Sequence, residues 1–139
     1  MTSLSSDLFI IRDAEPTDLG FIHSTWLKGL YYGNDWFREI DQEIYFERYH
    51  QVVEHIIFGG KSTIKVACLR EDPEVILSYA VFEKKEPGHI LHWAFTKPIW
   101  RKMGIVKSIL PQDIVSVTHL TKIGKSIKPK KWKFDPFLT

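Results

Sequence analysis

The stretch from residue 91 to residue 110 holds the residue types and spacing best suited to chemistry in this chain. A hydrophobic segment ends at Thr96, Pro98 follows, and a helix that we predict over residues 101–110 has Gly104 in its first turn. The start of a helix presents free backbone N–H groups and the positive end of the helix dipole, which together bind phosphate. A glycine there lets a large anion approach the backbone. The segment therefore predicts a phosphate site, with an ordinary strand-to-helix connection as the alternative.

Charge is distributed unevenly along the 139 residues, although the net charge is only +2. Residues 1–96 contain 9 basic and 15 acidic side chains, whereas residues 97–139 contain 10 basic and 2 acidic ones. This basic last third indicates a polyanionic partner, which could be a nucleic acid, a membrane surface or a phosphorylated cofactor. Basic residues that surround the predicted phosphate site are Lys97, Arg101, Lys102 and Lys107.

The other basic residues of the last third form a lysine-rich tail around Trp132. They are Lys122, Lys125, Lys128, Lys130, Lys131 and Lys133. Lysines with an interleaved aromatic side chain can follow a nucleic-acid backbone and stack a base. A solvated terminus in which Trp132 packs as part of an edge strand explains the same residues, and we favour this second interpretation.

Composition limits the class of protein. With 44% hydrophobic residues the chain can bury a core, which excludes an intrinsically disordered protein. Cys68 is the single cysteine and lies in an apolar segment, so we expect an inert core thiol and no disulfide within the chain. No apolar run approaches the roughly 20 residues that span a bilayer, and the polar residues 1–7 lack the pattern of a signal peptide. The histidine spacing specifies no metal site, and we expect a cytoplasmic protein without a membrane partner.

Hydrophobic periodicity predicts one mixed α/β domain over residues 1–139. Strands are expected at residues 8–12, 63–70, 75–83, 89–96 and 114–118, with a short edge strand within residues 132–137. Helices are expected at residues 19–30, 41–58, 101–110 and 121–127. The order is β-α-α-β-β-β-α-β-α-β, and the short turns between the middle strands imply antiparallel pairing, with helices covering the apolar faces.

The segment around Gly104 resembles the signature of the GNAT superfamily of acyl-CoA-dependent N-acetyltransferases. In that signature a hydrophobic strand leads to a proline, an aromatic residue and then Arg/Gln-x-x-Gly-x-Gly/Ala. Here Pro98 and Trp100 stand at the first two positions, and Arg101 and Gly104 have the required spacing. The element order is similar over residues 8–127, and the size resembles that of short GNAT-like proteins from bacteriophages. The resemblance implies a GNAT-like, mainly antiparallel sheet flanked by helices, with a shortened C-terminus.

The same resemblance implies that acetyl-CoA is the acyl donor. The end of the fourth strand would contact the pantetheine arm, and the turn and helix start that follow would hold the pyrophosphate. His119, at the end of the fifth strand, is a further cofactor contact by this analogy, with an exposed strand-end histidine as the alternative. The implied cofactor-binding residues are Phe95, Thr96, Arg101, Lys102, Met103, Gly104, Ile105, Val106, Lys107 and His119.

Acetyl transfer to an amine needs a general base near that amine. The family often has a glutamate four residues before the end of the fourth strand, and His92 stands at this position. Histidine can accept a proton at neutral pH. Glu83, at the end of the preceding strand, is a second candidate. The alternatives are a partly buried structural histidine and a solvated strand end. Strand alternation predicts that Leu91 and Trp93 share one face and that His92 lies on the other.

Aromatic side chains lie between the first two predicted helices, where GNAT enzymes commonly line the acceptor site. Tyr31, Tyr32 and Trp36 occur there beside Asp35. Such a cluster could hold a cationic amine by cation–π and charge attraction. Hydrophobic packing of this connection onto the sheet explains the same residues equally well.

The leading hypothesis is an N-acetyltransferase that transfers an acetyl group from acetyl-CoA to an amine of a protein or small molecule by direct attack. The alternative is a catalytically inactive GNAT-like fold that binds a protein or a nucleic acid. Val106, which replaces the usual glycine or alanine, favours this alternative, as does the lack of the tyrosine that the family often has in the last helix. GNAT domains also usually continue with two strands where this chain offers one, so we expect an open sheet edge that a homodimer would complete.

Overall fold

The computed structural model describes residues 8–59 and 61–139. Residues 1–7, which we predicted to lack the pattern of a signal peptide, lie outside these ranges. Within these ranges six strands form one sheet in the order β1-β2-β3-β4-β5-β6. The first four strands pair antiparallel with their neighbours, whereas β5 and β6 are added in parallel. The strands are β1 (Phe9–Asp13), β2 (Ser62–Leu69), β3 (Ile76–Lys85), β4 (Gly88–Thr96), β5 (Ile114–Val117) and β6 (Lys133–Phe134).

The helices follow the predicted order with one addition. They are α1 (Leu19–Tyr32), α2 (Asp35–Arg38), α3 (Gln42–Phe58), α4 (Ile105–Ile109) and α5 (Lys122–Ile127). The short α2 occupies the break that we predicted between the first two helices. Asp41 caps α3 because its carboxylate accepts hydrogen bonds from the N–H groups of Glu43 and Ile44. The mixed α/β fold with a mainly antiparallel sheet is confirmed. In the described part of the chain, no helix has the length and apolar character needed to cross a membrane.

Two hydrophobic cores lie on opposite faces of the sheet. Along β3, Tyr79 and Val81 enter one core, whereas Ala80 and Phe82 enter the other. Helices α1 and α3 cover the first core and α4 contributes to the second, so we name them the α1/α3 core and the α4 core. Cys68 is fully buried in the α1/α3 core.

Strand β4 contains one extra residue at His92. Val81 of β3 pairs with Trp93 and the next residue, Phe82, pairs with Leu91, so His92 has no partner on β3. A bulge of this kind shifts the alternation of side chains by one residue. Leu91 consequently packs in the α4 core and Trp93 in the α1/α3 core. The prediction that these two side chains share one face is therefore wrong, because alternation assumes an unbroken strand.

Strands β4 and β5 diverge after a short parallel pairing. Leu91 and Val117 are the last residues that the register joins, and the Thr118 N–H donates a hydrogen bond of 3.0 Å to the Leu91 carbonyl oxygen. Residues 92–96 of β4 and the chain from residue 118 onward then separate. We call the space between these two segments the β4–β5 gap.

The helix predicted over residues 101–110 is shorter in the structure. Lys102 and Gly104 have φ angles of 65° and 76°, and a right-handed helix cannot run through left-handed residues. Pro98–Trp100 instead forms a single 3-10 turn, and α4 begins only after Gly104. Gly104, which we predicted in the first turn of the helix, is thus the N-cap residue that immediately precedes α4.

Candidate active site

The β4–β5 gap is lined on one side by main-chain groups of β4. The Lys97 N–H donates a 3.0 Å hydrogen bond to a carbonyl group of β3, and the Phe95 carbonyl oxygen accepts one of 2.7 Å from Ser78 Oγ. These contacts turn the main chain of Phe95 toward β3. Because N–H and C=O directions alternate along a strand, the main-chain groups of Ala94 and Thr96 point to the opposite side, into the gap.

The turn from β4 to α4 lies at the end of the gap. Arg101 Nε donates a hydrogen bond of 3.0 Å to the Thr96 carbonyl oxygen, so the guanidinium is held beside the end of β4. A Cβ atom on Gly104 would meet nothing within 4 Å, which means that the space beside this residue is open. The first N–H groups of α4 have no acceptor inside the helix, and the exposed Lys102 and Lys107 flank them. The turn is therefore an open, positively charged main-chain surface.

A line of four side chains connects β3, β4 and the end of β5. Glu83 Oε1 lies 2.8 Å from His92 Nε2, and His92 Nδ1 lies 2.9 Å from Thr118 Oγ1. The same hydroxyl lies 2.8 Å from Nδ1 of His119. The His92 side chain is completely buried, whereas that of Glu83 keeps 15% of its surface exposed. Both predicted catalytic candidates and one predicted cofactor contact thus belong to a single hydrogen-bonded chain.

Burial sets the protonation state of the two histidines. Desolvation lowers the pKa of His92, and the neighbouring Glu83 only partly opposes this effect. Desolvation and the nearby His92 lower the pKa of His119 to about 4. Both imidazole rings are consequently neutral at pH 7.

Aromatic rings surround His119 on the α1/α3 side of the sheet. Its ring centroid lies 5.6 Å from that of Trp26 and 5.8 Å from that of Tyr49, both in edge-on geometry. Trp26 in turn stacks on Trp93, with ring centroids 5.8 Å apart and an angle of 4° between the planes. His119 is thus packed between helices α1 and α3 and the sheet, and is not the exposed strand-end histidine of the alternative interpretation.

The structure distributes the predicted cofactor contacts over several environments. The side chain of Ile105 is buried in the α4 core, so only its main chain can face a ligand. Val106 is half-buried, and Met103 is exposed beside the left-handed Gly104. Thr96 and Arg101 are brought together by their hydrogen bond, whereas His119 lies on the β5 side of the gap.

Among the predicted acceptor residues, Tyr31 differs from the others. It is buried in the α1/α3 core, its hydroxyl donates to the Ile40 carbonyl oxygen over 3.3 Å, and its ring centroid lies 4.7 Å from that of Tyr45. Packing therefore accounts for Tyr31. By contrast, Tyr32 and Trp36 keep 59% and 66% of their surfaces exposed.

Asp35 already has two cationic partners. Lys122 Nζ of α5 lies 2.7 Å from its carboxylate, and Arg38 of α2 also pairs with it. Lys122 and then Arg38 hold the pKa of this carboxyl below its usual value. The Asp35 carboxylate is therefore already paired with two cations of the protein.

Sequence reasoning assigned no role in the site to two residues that complete it. Thr118 joins the two histidines through its hydroxyl, and Ala94 turns its main chain into the gap. A threonine just after an apolar strand and an alanine inside one are common in any sheet. The signal that could have identified them is the parallel register of β4 and β5, which a single sequence does not reveal.

Comparison with protein-family models gives no match, and comparison with curated proteins gives none either. Solved structures do match. A predicted acetyltransferase with acetyl-CoA from Clostridium acetobutylicum has a TM-score of 0.58 and 14% identity, over 86% of this chain and 85% of that chain. A protein described as histone acetyltransferase HPA2 and related acetyltransferase, from Corynebacterium glutamicum, has a TM-score of 0.52 and 18% identity, over 73% of this chain and 67% of that one.

A possible acetyltransferase from Clostridium difficile 630 has a TM-score of 0.49 and 15% identity, over 73% of this chain. This chain spans 66% of its length. The first two structures, together with the sheet order and the diverging β4 and β5, establish the architecture. The chain has the fold of the GNAT acetyltransferases.

Proposed function

We propose that this protein is an acetyl-CoA-dependent N-acetyltransferase whose active site is the β4–β5 gap. The observation that supports this proposal most strongly is that two parallel strands diverge beside two histidines that share hydrogen bonds with the Thr118 hydroxyl, while the open turn at Gly104 lies at the end of the same gap. This arrangement offers main-chain partners for an extended ligand and a cationic turn for its phosphates. It also places titratable groups at the inner end of the gap, where β4 and β5 begin to separate.

The residues present fit acetyl-CoA. The main-chain groups of Ala94 and Thr96 would pair with the amides of the pantetheine arm, and the N–H groups around Gly104 would hold the pyrophosphate with help from Lys102 and Lys107. The open space beside Gly104 supports this assignment. When bound, acetyl-CoA supplies a thioester, which is an activated acyl group. We assign the pantetheine contact to Ala94 in addition to Thr96, since the main chain of Phe95 is engaged with β3.

The chemistry needs a neutral amine and a place for its proton. During direct transfer, the amine nitrogen forms a bond to the thioester carbon, the carbon–sulfur bond breaks, and the sulfur leaves as a thiolate. The amine gives up one proton to a base, and the thiolate takes up one proton from solvent. The neutral histidines at the inner end of the gap suit the role of base, because each keeps a nitrogen lone pair.

The exposed aromatic residues Tyr32 and Trp36 support an amine acceptor that approaches along the loop after α1. Their faces can attract a cation, whereas Asp35 is already paired. Acceptors of either kind, a protein lysine or a small polyamine-like molecule, meet this requirement. A cytoplasmic location and a homodimer across the edge of β6 remain part of the proposal, and light scattering at high concentration tests the dimer.

Calorimetric titration with acetyl-CoA tests the donor site. We expect binding, and a matched pair of variants should localise it. Lys102→Gln, in the turn, should weaken binding about fivefold, which corresponds to about 1 kcal/mol for an exposed charge. Lys130→Gln, in the lysine-rich tail, should leave binding within about twofold, because this lysine lies outside the turn.

A wild-type titration without heat at millimolar acetyl-CoA would contradict the proposed function. It would favour the alternative of a binding module that has kept the fold and lost the chemistry. Turnover is measured separately, as release of free CoA thiol in the presence of spermidine or a lysine-containing peptide.

A further inference from the structure

The hydrogen-bonded chain from Glu83 to His119 is continuous and crosses the boundary between paired and diverging strands. Its three contacts measure 2.8, 2.9 and 2.8 Å. We propose that Glu83, His92, Thr118 and His119 form a proton relay, in which His119 takes the proton of the acceptor amine and Glu83 receives a proton at the far end. The inference rests on the acetyl transfer proposed above and names the groups that move its proton.

The chemistry of the four groups fixes the direction of every hydrogen bond. An ionised Glu83 can only accept, so His92 must carry its proton on Nε2. Because His92 is neutral, its Nδ1 carries no proton, and the lone pair on this nitrogen accepts a hydrogen bond from the Thr118 hydroxyl. That hydroxyl has no second proton to give, so its oxygen accepts from His119 Nδ1–H. In this resting arrangement Nε2 of His119 is an unprotonated base.

The same four groups also satisfy all three bonds with every direction reversed. A proton added to His119 Nε2 releases the proton of Nδ1 to the Thr118 oxygen. The hydroxyl proton passes to His92 Nδ1, and the proton of His92 Nε2 passes to Glu83. The two arrangements differ by one proton gained at His119 Nε2 and held on Glu83, and neither requires a heavy atom to move far.

Charge explains why a relay serves better here than a single histidine. Placing a positive charge on His119 is disfavoured by burial among Trp26 and Tyr49 and by the neighbouring His92. Passing the proton to Glu83 neutralises a negative charge and creates no new positive one. The partly exposed Glu83 carboxyl can then return the proton to water.

The register decides which end faces the reaction. Glu83 pairs with Ile90, on the side where β4 and β5 are still joined. His119 follows Thr118, the first residue beyond the last joined pair, and therefore lies on the diverging side. His119 is accordingly the catalytic residue of the relay, while His92 and Thr118 act through it. This assignment moves the base from His92, whose two ring nitrogens are already bonded to side chains.

Two substitutions of Thr118 test the relay through the kinetics. Thr118→Val keeps the shape and removes the bridging hydroxyl, so kcat should fall on the order of a hundredfold, the lower end of the range for loss of general acid–base catalysis. Thr118→Ser restores a hydroxyl and should keep kcat within about threefold. The KM for acetyl-CoA should be unchanged in both, because Thr118 is not assigned to the donor. Equal rates for the two variants would overturn the relay.

A second measurement does not depend on turnover. Nitrogen-15 spectra of the histidine rings should show, at pH 7, His92 protonated on Nε2 and His119 protonated on Nδ1. In Thr118→Val, His119 should lose its preference for Nδ1 while His92 keeps Nε2 through Glu83. Finding His92 protonated on Nδ1 in the resting wild-type protein would overturn the relay, because the four groups would then already be in the reversed arrangement and could not pass on another proton.

The two proposals fail in distinguishable ways. A wild-type protein that binds no acetyl-CoA overturns the proposed function, and the role of the relay in acetyl transfer falls with it. A protein that transfers acetyl groups while Thr118→Val matches Thr118→Ser overturns the relay alone. Glu83→Gln, which removes the group that receives the proton, should lower kcat at least tenfold with unchanged acetyl-CoA binding. Wild-type kcat in this variant would also contradict the relay.

Discussion

Asn34 Nδ2 donates a hydrogen bond of 2.6 Å to the carbonyl oxygen of Leu120, and so joins the loop after α1 to the chain that follows β5. The Lys122 N–H reinforces this junction with a bond of 2.9 Å to the Gly33 carbonyl oxygen. Leu120 directly follows His119. The loop that we assign to the acceptor and the histidine that we assign to the proton are therefore held by the same contact.

Asn34→Ala should lower the free energy of unfolding by about 1 kcal/mol, the usual net value of one hydrogen bond, and more if the Leu120 carbonyl group stays without a donor. Urea denaturation measures this change. Gln51→Ala, on the exposed surface of α3, is the control and should stay within about 0.5 kcal/mol of wild type. Equal stability of the two variants would show that the junction contributes nothing.

Asp18→Asn should remove an acid-dependent part of the stability. Arg12 binds the buried Asp18 carboxylate through two nitrogens, at 2.7 and 3.1 Å, and this contact holds the pKa of Asp18 below its usual value. A carboxyl with a lowered folded pKa stabilises the protein above its unfolded pKa and loses that effect as the pH falls through the folded value. Wild type should thus lose stability below about pH 4, and the variant should lose less in that range.

At neutral pH the same substitution should cost about 3 kcal/mol, because it leaves a partly buried Arg12 without its anion. Asp13→Asn is the matched control, since Asp13 pairs with Lys65 on the exposed surface at 2.6 Å. Exposed pairs contribute less than about 1 kcal/mol. Chemical denaturation at several pH values reads both effects, and similar losses in the two variants would contradict the role assigned to Asp18.

His119→Gln should flatten the pH dependence in a higher range. The folded pKa of His119 is lowered to about 4, so the unfolded chain binds the proton first as the pH falls. Stability is therefore complete above about pH 6.5 and declines toward pH 4, on the order of 2 kcal/mol from this residue. Denaturation midpoints at pH 7, 5.5 and 4.5 measure the slope. Burial also lowers the pKa of His92 and His23, so part of the slope should remain. An unchanged slope would argue against the assigned burial of His119.

Two glycine substitutions should change stability in opposite directions. Gly104→Ala forces a side chain into a left-handed residue with φ of 76° and should cost about 1 kcal/mol, although its Cβ meets no neighbour. Gly20→Ala, in α1, also finds open space and should gain about 0.5 kcal/mol because alanine favours helices. Thermal or urea denaturation compares them. A stabilising effect at both positions would contradict the backbone conformation of the turn.

Local patterns predicted most of the elements because they depend on neighbouring residues. The apolar stripes of α1 and α3, and the order of the strands, follow from periodicity alone. The helix after β4 was predicted too long because composition favours a helix through Lys102, and only the left-handed φ angles reveal the turn. The short α2 was missed since four residues are too few to establish a period.

The site depends on contacts between residues far apart in the sequence. Glu83 and His92 were identified as candidates individually, yet the hydroxyl of Thr118 that connects His92 with His119 required the register of β4 against β5. The bulge at His92 is equally invisible to alternation, because one extra residue leaves the sequence pattern on either side intact. Tyr31 and Trp36 are both aromatic residues of the predicted acceptor cluster. Only the packing shows that Tyr31 is a core residue and that Trp36 is exposed.

The bulge at His92 also acts as a one-residue frame shift in the sheet. Odd-numbered residues of β4 face α4 before it, as Leu91 does, and face α1 and α3 after it, as Trp93 and Phe95 do. Deleting residue 92 would make Leu91 and Trp93 neighbours in a regular strand, on the opposite faces that they already occupy, and would leave Ala94 and Phe95 on their present sides. The extra residue therefore adds the His92 side chain to the site without changing which side chains fill either core.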